Sequence, residues 1–256
     1  MNELIESWRT CALTTLPYVL SGDGVQGAQY ASYQAFADSK DFGINSAEFQ
    51  LGLIPQPYIG NLAEAKVFLF LLNPGFSPGD YYAQEHSQLF RQARKANLHQ
   101  QSMSVDYPFF YLDPAFAWTA GGQWWQNKLR SVIEELAKHE KLVSYSDSFR
   151  AALQHTSKHI ACLEFCPYFS KTYSSTKRLL HSSKLLLAYV QHELEQRCQS
   201  EKASVIILRQ ADKWGLPKSN RIIEVEKKQA RGAHLTMNTA AGQVLYKELA
   251  SLLLEA

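Results

Sequence analysis

The sequence predicts a single α/β domain over residues 1–256, with a mostly parallel four-stranded sheet carrying helices on both faces. Three observations predict it. A six-residue apolar run, Val67 to Leu72, is bounded by turn residues, as expected of a strand buried on both faces. Further strand-like runs follow, separated by long stretches of helical spacing, and that alternation implies parallel crossovers. The composition, 46% hydrophobic and 20% charged over 256 residues, is enough for a full core without disulfides or metals.

Leu4, Ile5, Trp8, Cys11, Ala12 and Leu16 recur at helical spacing over residues 2–16, and Tyr30 to Ala37 reads as a second short helix, so residues 1–54 are expected to form an N-terminal helical extension. The core, residues 55–256, opens with a Pro/Gly-punctuated segment, Pro55 to Asn61, before the first strand. A helix around Gln84–Ala96, a long aromatic loop and an amphipathic helix from Gly121 to about Lys138 follow. In that helix Trp124, Leu129, Ile133 and Leu136 are expected to pack inward. Strands are read at His159–Phe165 and Ala203–Leu208 with a helix near Thr176–Cys198 between them. A short strand near Ala233–Thr236 then leads into a closing helix to about Leu254.

Net charge is +2, but it is unevenly distributed. Residues 1–150 carry 11 Lys/Arg and 15 Asp/Glu, and residues 151–256 carry 15 and 9. A basic face built by the second half is one footprint of polyanion binding, and ordinary surface variation explains the charges equally well. Four irregularly spaced cysteines with no C-x-x-C pair suit a reducing cytoplasm. Glu3, Glu6 and Arg9 interrupt the first apolar stretch, and no run approaches the ~20 residues of a membrane span. Neither a signal peptide nor a membrane partner is expected.

In an open α/β sheet, ligands bind at the carboxyl ends of the strands. Asn73-Pro74-Gly75 stands at such an end, where an amide can orient a water and a tight turn can aim backbone N–H groups at a ligand. An ordinary strand-ending turn is the competing account. Glu164 interrupts the strand Ile160 to Leu163 and, as a carboxylate at a buried strand end, needs a partner, either a ligand or a neighbouring cation. Beyond it, Ser170 to Arg178 mixes hydroxyls with Lys171, Lys177 and Arg178 at a helix start, the parts of a phosphate-contacting surface or of a solvated capped loop. Arg209 and Gln210 after the third strand, with Lys213, and Gln243 in the closing helix, extend that candidate DNA-binding set.

The stretch Phe68-Leu-Phe-Leu-Leu-Asn-Pro-Gly75 resembles the first motif of the uracil-DNA glycosylase superfamily, in its mismatch-specific and single-strand-selective form. The resemblance covers residues from about Pro55 onward. It implies a three-layer α/β/α fold and a monofunctional DNA glycosylase that acts as a monomer, flips a base and hydrolyses its N-glycosidic bond. Asn73 matches the residue that directs the attacking water. Asn238-Thr239-Ala240 lies where the family's second motif falls and matches it in its first residue, so Asn238 would bind the departing base. The aromatic that stacks on the base would come from Phe76, Phe109, Phe110 or Tyr111. Glu164 falls where members read the base edge. An ionised carboxylate there would repel O4 of uracil and suit the N4 amino group of cytosine. The expected target is therefore a modified cytosine of phage DNA, with antiviral defence as the role, and otherwise uracil or a mismatched base. No cofactor or metal is expected, since the cysteines and histidines lack ligand spacing. A non-catalytic nucleic-acid-binding module on the same fold is the alternative; an α/β hydrolase lacks its G-x-S-x-G elbow.

Overall fold

The computed structural model describes residues 2–43, 48–139, 144–173, 178–225 and 235–254. In chain order the N-terminal part holds α1 (Asn2–Arg9), β1 (Gly27–Ala28), α2 (Tyr33–Ala37) and β2 (Phe49–Gln50). The first helix stops well short of residue 16, yet Leu4, Trp8 and Cys11 enter the same core as one face of the main sheet. Ser32 starts α2 by accepting the Ala35 N–H at 3.0 Å. The two short strands pair in parallel, apart from the main sheet.

The main sheet has five strands rather than four. It comprises β3 (Tyr58–Ile59), β4 (Val67–Leu71), β5 (Ile160–Glu164), β6 (Ser204–Ile207) and β7 (Ile222–Glu224), in the spatial order β3-β5-β4-β6-β7. All neighbours are parallel except β3, which runs antiparallel along β5. The edge strand β3 is too short for periodicity to reveal. Its turn is set by Gly60 at φ +91, where a Cβ would stand 2.6 Å from the Ile160 carbonyl. At the other edge β7 replaces the strand expected at residues 233–236, where Leu235 and Thr236 belong to no strand and residues 233–234 lie outside the described set.

Alternation along β4 sends Val67, Leu69 and Leu71 into one core and Phe68, Phe70 and Leu72 into another. The first core is closed by α5 (Ala120–Ala137), α6 (Tyr145–His159) and α9 (Ala240–Leu254). Helices α1 and α7 (His181–Tyr189), a π-helical turn at Val190–Leu194 and α8 (Glu195–Gln199) close the second. Each large apolar side chain so buried contributes roughly 1.5–3 kcal/mol. Between β4 and α5 run α3 (Gly79–His86) and α4 (Gln88–His99). They are two helices because Ser87 leaves helical geometry and caps the second through the Phe90 N–H, 3.2 Å away.

The unexpected helix is α6. Its buried face includes Ser148, Ala152, Thr156 and Ser157, which give little apolar period; Thr156 satisfies its hydroxyl on the Ala152 carbonyl at 2.8 Å. No described helix is long and apolar enough to cross a membrane.

Candidate functional site

The carboxyl ends of β4, β5, β6 and β7 converge on a cleft of about 1310 Å³. Leu71 and Glu164 are register partners at the ends of β4 and β5, which sets Asn73 and Glu164 along the same wall. Asn73 Nδ2 donates to the carbonyls of Pro74 (3.0 Å) and Ser170 (3.1 Å) and to Ser170 Oγ (3.0 Å). The Ser170 N–H returns a bond to the Pro74 carbonyl at 3.2 Å. With the amide nitrogen committed to the loop, Oδ1 is the atom of Asn73 suited to hold a water. Ser170 itself is fully buried and passes its hydroxyl hydrogen to the Thr172 carbonyl. It braces the turn rather than contacting a polyanion.

Glu164 is 3% exposed and lines the cleft. Among the described residues its Oε1 receives the Cys162 thiol, 3.9 Å away, and its Oε2 is buried with no hydrogen-bond partner. Burial pushes the carboxyl well above the usual carboxylate range, against the opposing pull of nearby Arg209. The repulsion of uracil expected from the sequence belongs to the ionised form; in the neutral form that burial favours, the carboxyl donates as well as accepts and does not by its charge exclude uracil.

Of the four candidate stacking aromatics, Tyr111 alone lines the cleft. Phe109 is fully buried with its ring edge-on to Trp125 at 4.9 Å, and Phe110 is core beside Phe90 and Phe116. Phe76 turns away into a separate aromatic cluster with Phe36 and Tyr81. The cleft wall instead comes from Trp124 and Trp125, because α5 begins at its Thr119 cap and buries Gly122, Trp125, Leu129, Val132, Ile133 and Leu136. That phase leaves Trp124 38% exposed on the cleft side, with the Lys128 ammonium 5.2 Å from its ring centroid. The Lys128 ammonium is shifted down by burial and by nearby Arg209. Gly121 lets the helix approach Tyr111; a Cβ there would lie 2.3 Å from the ring. The glycine pair before two tryptophans was the sequence signal for this wall.

Lys171, Arg209 and Gln210 line the cleft, and Gln210 holds a left-handed conformation at φ 46. Lys213 is not among the lining residues; its ammonium lies 5.5 and 5.8 Å from the ring centroids of Phe165 and Tyr173. Arg178 is exposed and off the cleft, and Lys177 lies outside the described residues. Asp212 and Glu224 also line the cleft, so its rim is mixed in charge rather than a ring of cations.

Asn238 is exposed and does not line the cleft. The preceding turn is pinned to α5 by the Met237 N–H on Ser131 Oγ at 3.0 Å, and Thr239 caps α9 through the Gly242 N–H at 3.1 Å. Gln243, also exposed, spends its amide on the Met237 carbonyl. Neither residue joins Asn73.

Sequence reasoning overlooked Gln56. It is 4% exposed, lines the cleft, and accepts the Tyr111 hydroxyl hydrogen at 3.0 Å. Among the described residues no group of three or more His, Cys, Asp or Glu side chains is placed to hold a metal ion. No family model, curated protein or solved structure matches the chain.

Proposed function

We propose that this chain is a monofunctional DNA glycosylase with the three-layer α/β/α architecture of the uracil-DNA glycosylase superfamily, acting on DNA as a cytoplasmic monomer. The observation that carries the reading is the buried Glu164 carboxyl with an unpartnered oxygen, in one cleft with Asn73 and a tryptophan wall. An unsatisfied polar group in a buried site costs about 1–3 kcal/mol, a cost that a ligand bond removes. The tryptophans and the size of the cleft suit a flat ring with substituents.

A base inside a duplex cannot be reached, so the target nucleotide is flipped into the cleft. Trp124 offers an aromatic face for stacking, and Lys171 and Arg209 offset phosphate charge at the rim. Asn73 Oδ1 orients the water. The C1′–N bond breaks toward an oxocarbenium-like sugar, the electron pair leaves with the base, and water adds to C1′ as its proton passes to solvent. With Asn238 off the cleft, the Glu164 hydroxyl is the donor that meets the charge developing on the departing base. A neutral carboxyl pairs with the N3 and N4 edge of cytosine through one donated and one accepted bond. The target proposed is a modified cytosine such as phage DNA carries, and the role antiviral.

The test is incubation with DNAs bearing uracil, mismatched thymine or modified cytosines, followed by alkaline cleavage of abasic sites. Strand breaks with modified cytosine support the proposal, and breaks with uracil alone return the chain to ordinary repair. The exposure of Asn238 favours a second reading, a base-binding module without turnover, which predicts DNA binding with no abasic product from any substrate.

A further inference from the structure

We infer that Gln56 is a specificity-determining residue that joins Glu164 in presenting two hydrogen-bond donors to the adjacent ring-nitrogen and carbonyl acceptors of a cytosine base. The inference rests on the proposed reading of the cleft as a base pocket. Backbone pairing sets the two side chains together: the Glu164 N–H donates to the Pro57 carbonyl at 2.9 Å, and Gln56 directly precedes Pro57. Both side chains are more than nine-tenths buried and both line the cleft.

Tyr111 decides how the amide is turned. Its side chain is buried, at 2% exposure, and its phenol places its hydrogen on Gln56 Oε1 at 3.0 Å. Gln56 Nε2, on the other side of the amide, makes no hydrogen bond to a described residue, and Gln56 lines the cleft. On Glu164 the Cys162 thiol donates to Oε1, so in the neutral form that burial favours the hydrogen sits on Oε2, which has no partner among the described residues. The lining of the cleft therefore offers an N–H from Gln56 and an O–H from Glu164, carried on two backbone segments joined by the Glu164–Pro57 bond.

Two adjacent donors require two adjacent acceptors. Cytosine has them in N3 and O2. Uracil does not, because its N3–H stands between O2 and O4 and meets one of the two donors head-on. A site built to hydrogen-bond one pattern rejects the other through the donor left unpaired.

The experiment is a titration of the full chain, followed by NMR, with 1-methylcytosine and 1-methyluracil, whose methyl groups stand for the sugar. The wild type is expected to bind 1-methylcytosine at least about tenfold more tightly, the equivalent of one good hydrogen bond. Gln56→Leu removes one donor. Tyr111→Phe keeps the ring but frees the amide to turn over, so that Oε1 can accept from uracil N3–H. Both variants, folded by their melting curves, are expected to bring the ratio to within about threefold. Equal binding of the two bases by the wild type, no binding of 1-methylcytosine, or an unchanged ratio in both variants overturns the inference. Because binding needs no bond cleavage, the outcomes separate. Selective, Gln56-dependent binding without abasic product from any DNA removes the glycosylase and keeps the pocket, whereas base release with an unchanged ratio does the reverse.

Discussion

Asn73 Nδ2 lies 3.0 Å from Ser170 Oγ, and this contact ties the turn that follows β4 to the loop that follows β5. It makes the water-orienting residue of the proposed mechanism part of the scaffold as well. Two substitutions separate the roles. Asn73→Ala is expected to lower turnover about 10²–10⁴-fold, while DNA binding changes little, since phosphate contacts act before the transition state. Ser170→Ala removes one bond of the tie without touching Asn73 Oδ1, and is expected to cost about 1 kcal/mol of stability. Single-turnover rates, filter binding and melting curves measure the three quantities; equal losses of binding and rate in Asn73→Ala would refute the assignment.

The raised pKa of Glu164 makes stability depend on pH in a definite direction. In the unfolded chain its carboxyl ionises near the usual ~4.3, whereas burial holds the folded one neutral to a higher pH. The folded state binds the extra proton. Stability from this group is therefore present below the usual carboxylate range and is lost as pH rises through the raised value. Glu164→Gln removes the dependence, so its melting temperature relative to wild type should climb with pH across that window. Arg209, Cys162, Tyr111 and Cys166 are the titratable groups that act on Glu164 or are acted on by it. A melting difference flat from pH 4 to pH 9 would show an ionised Glu164.

Asn238→Ala is expected to leave the rate of base release within about twofold. A donor aimed at developing charge is worth ~10²–10³ in rate, and the exposed Asn238 does not line the cleft. A hundredfold loss would place this side chain at the reacting base and restore the second-motif role.

Trp124→Ala should weaken DNA binding by about 1–3 kcal/mol, the range for one stacked base. Trp124→Phe should recover part of the loss. At 38% exposure and edge-on to Trp125 at 4.7 Å the side chain also packs, so melting curves are read beside the binding to keep lost stability apart from lost stacking. Unchanged affinity in Trp124→Ala would assign the stacking surface to Tyr111 or Trp125.

Long apolar runs and their turns are local properties, and from them the sequence by itself determined the α/β class, the strands at 67, 160 and 204 and the turn at Asn73. A residue such as Glu164 also announces itself, because a charge inside a buried run is costly wherever the run packs. Other features depend on partners distant in the chain. The two-residue strand at Tyr58 exists because β5 offers its edge, and α6 buries small polar residues because they find backbone partners, Thr156 on Ala152 and Ser157 on Phe109, 48 residues away. The tertiary structure alone decided the site. Helix phase, set at Thr119, moved Trp124 to the cleft, and the Phe109 N–H on Ser157 Oγ, 48 residues away, holds Phe109 in the core. The pinning of Met237 to Ser131, 106 residues away, turned Asn238 outward. Gln56 became legible only when Tyr111, 55 residues away, fixed its amide. Hydrogen bonds and packing between such remote segments leave no period in the sequence, and they set which atoms face the cleft.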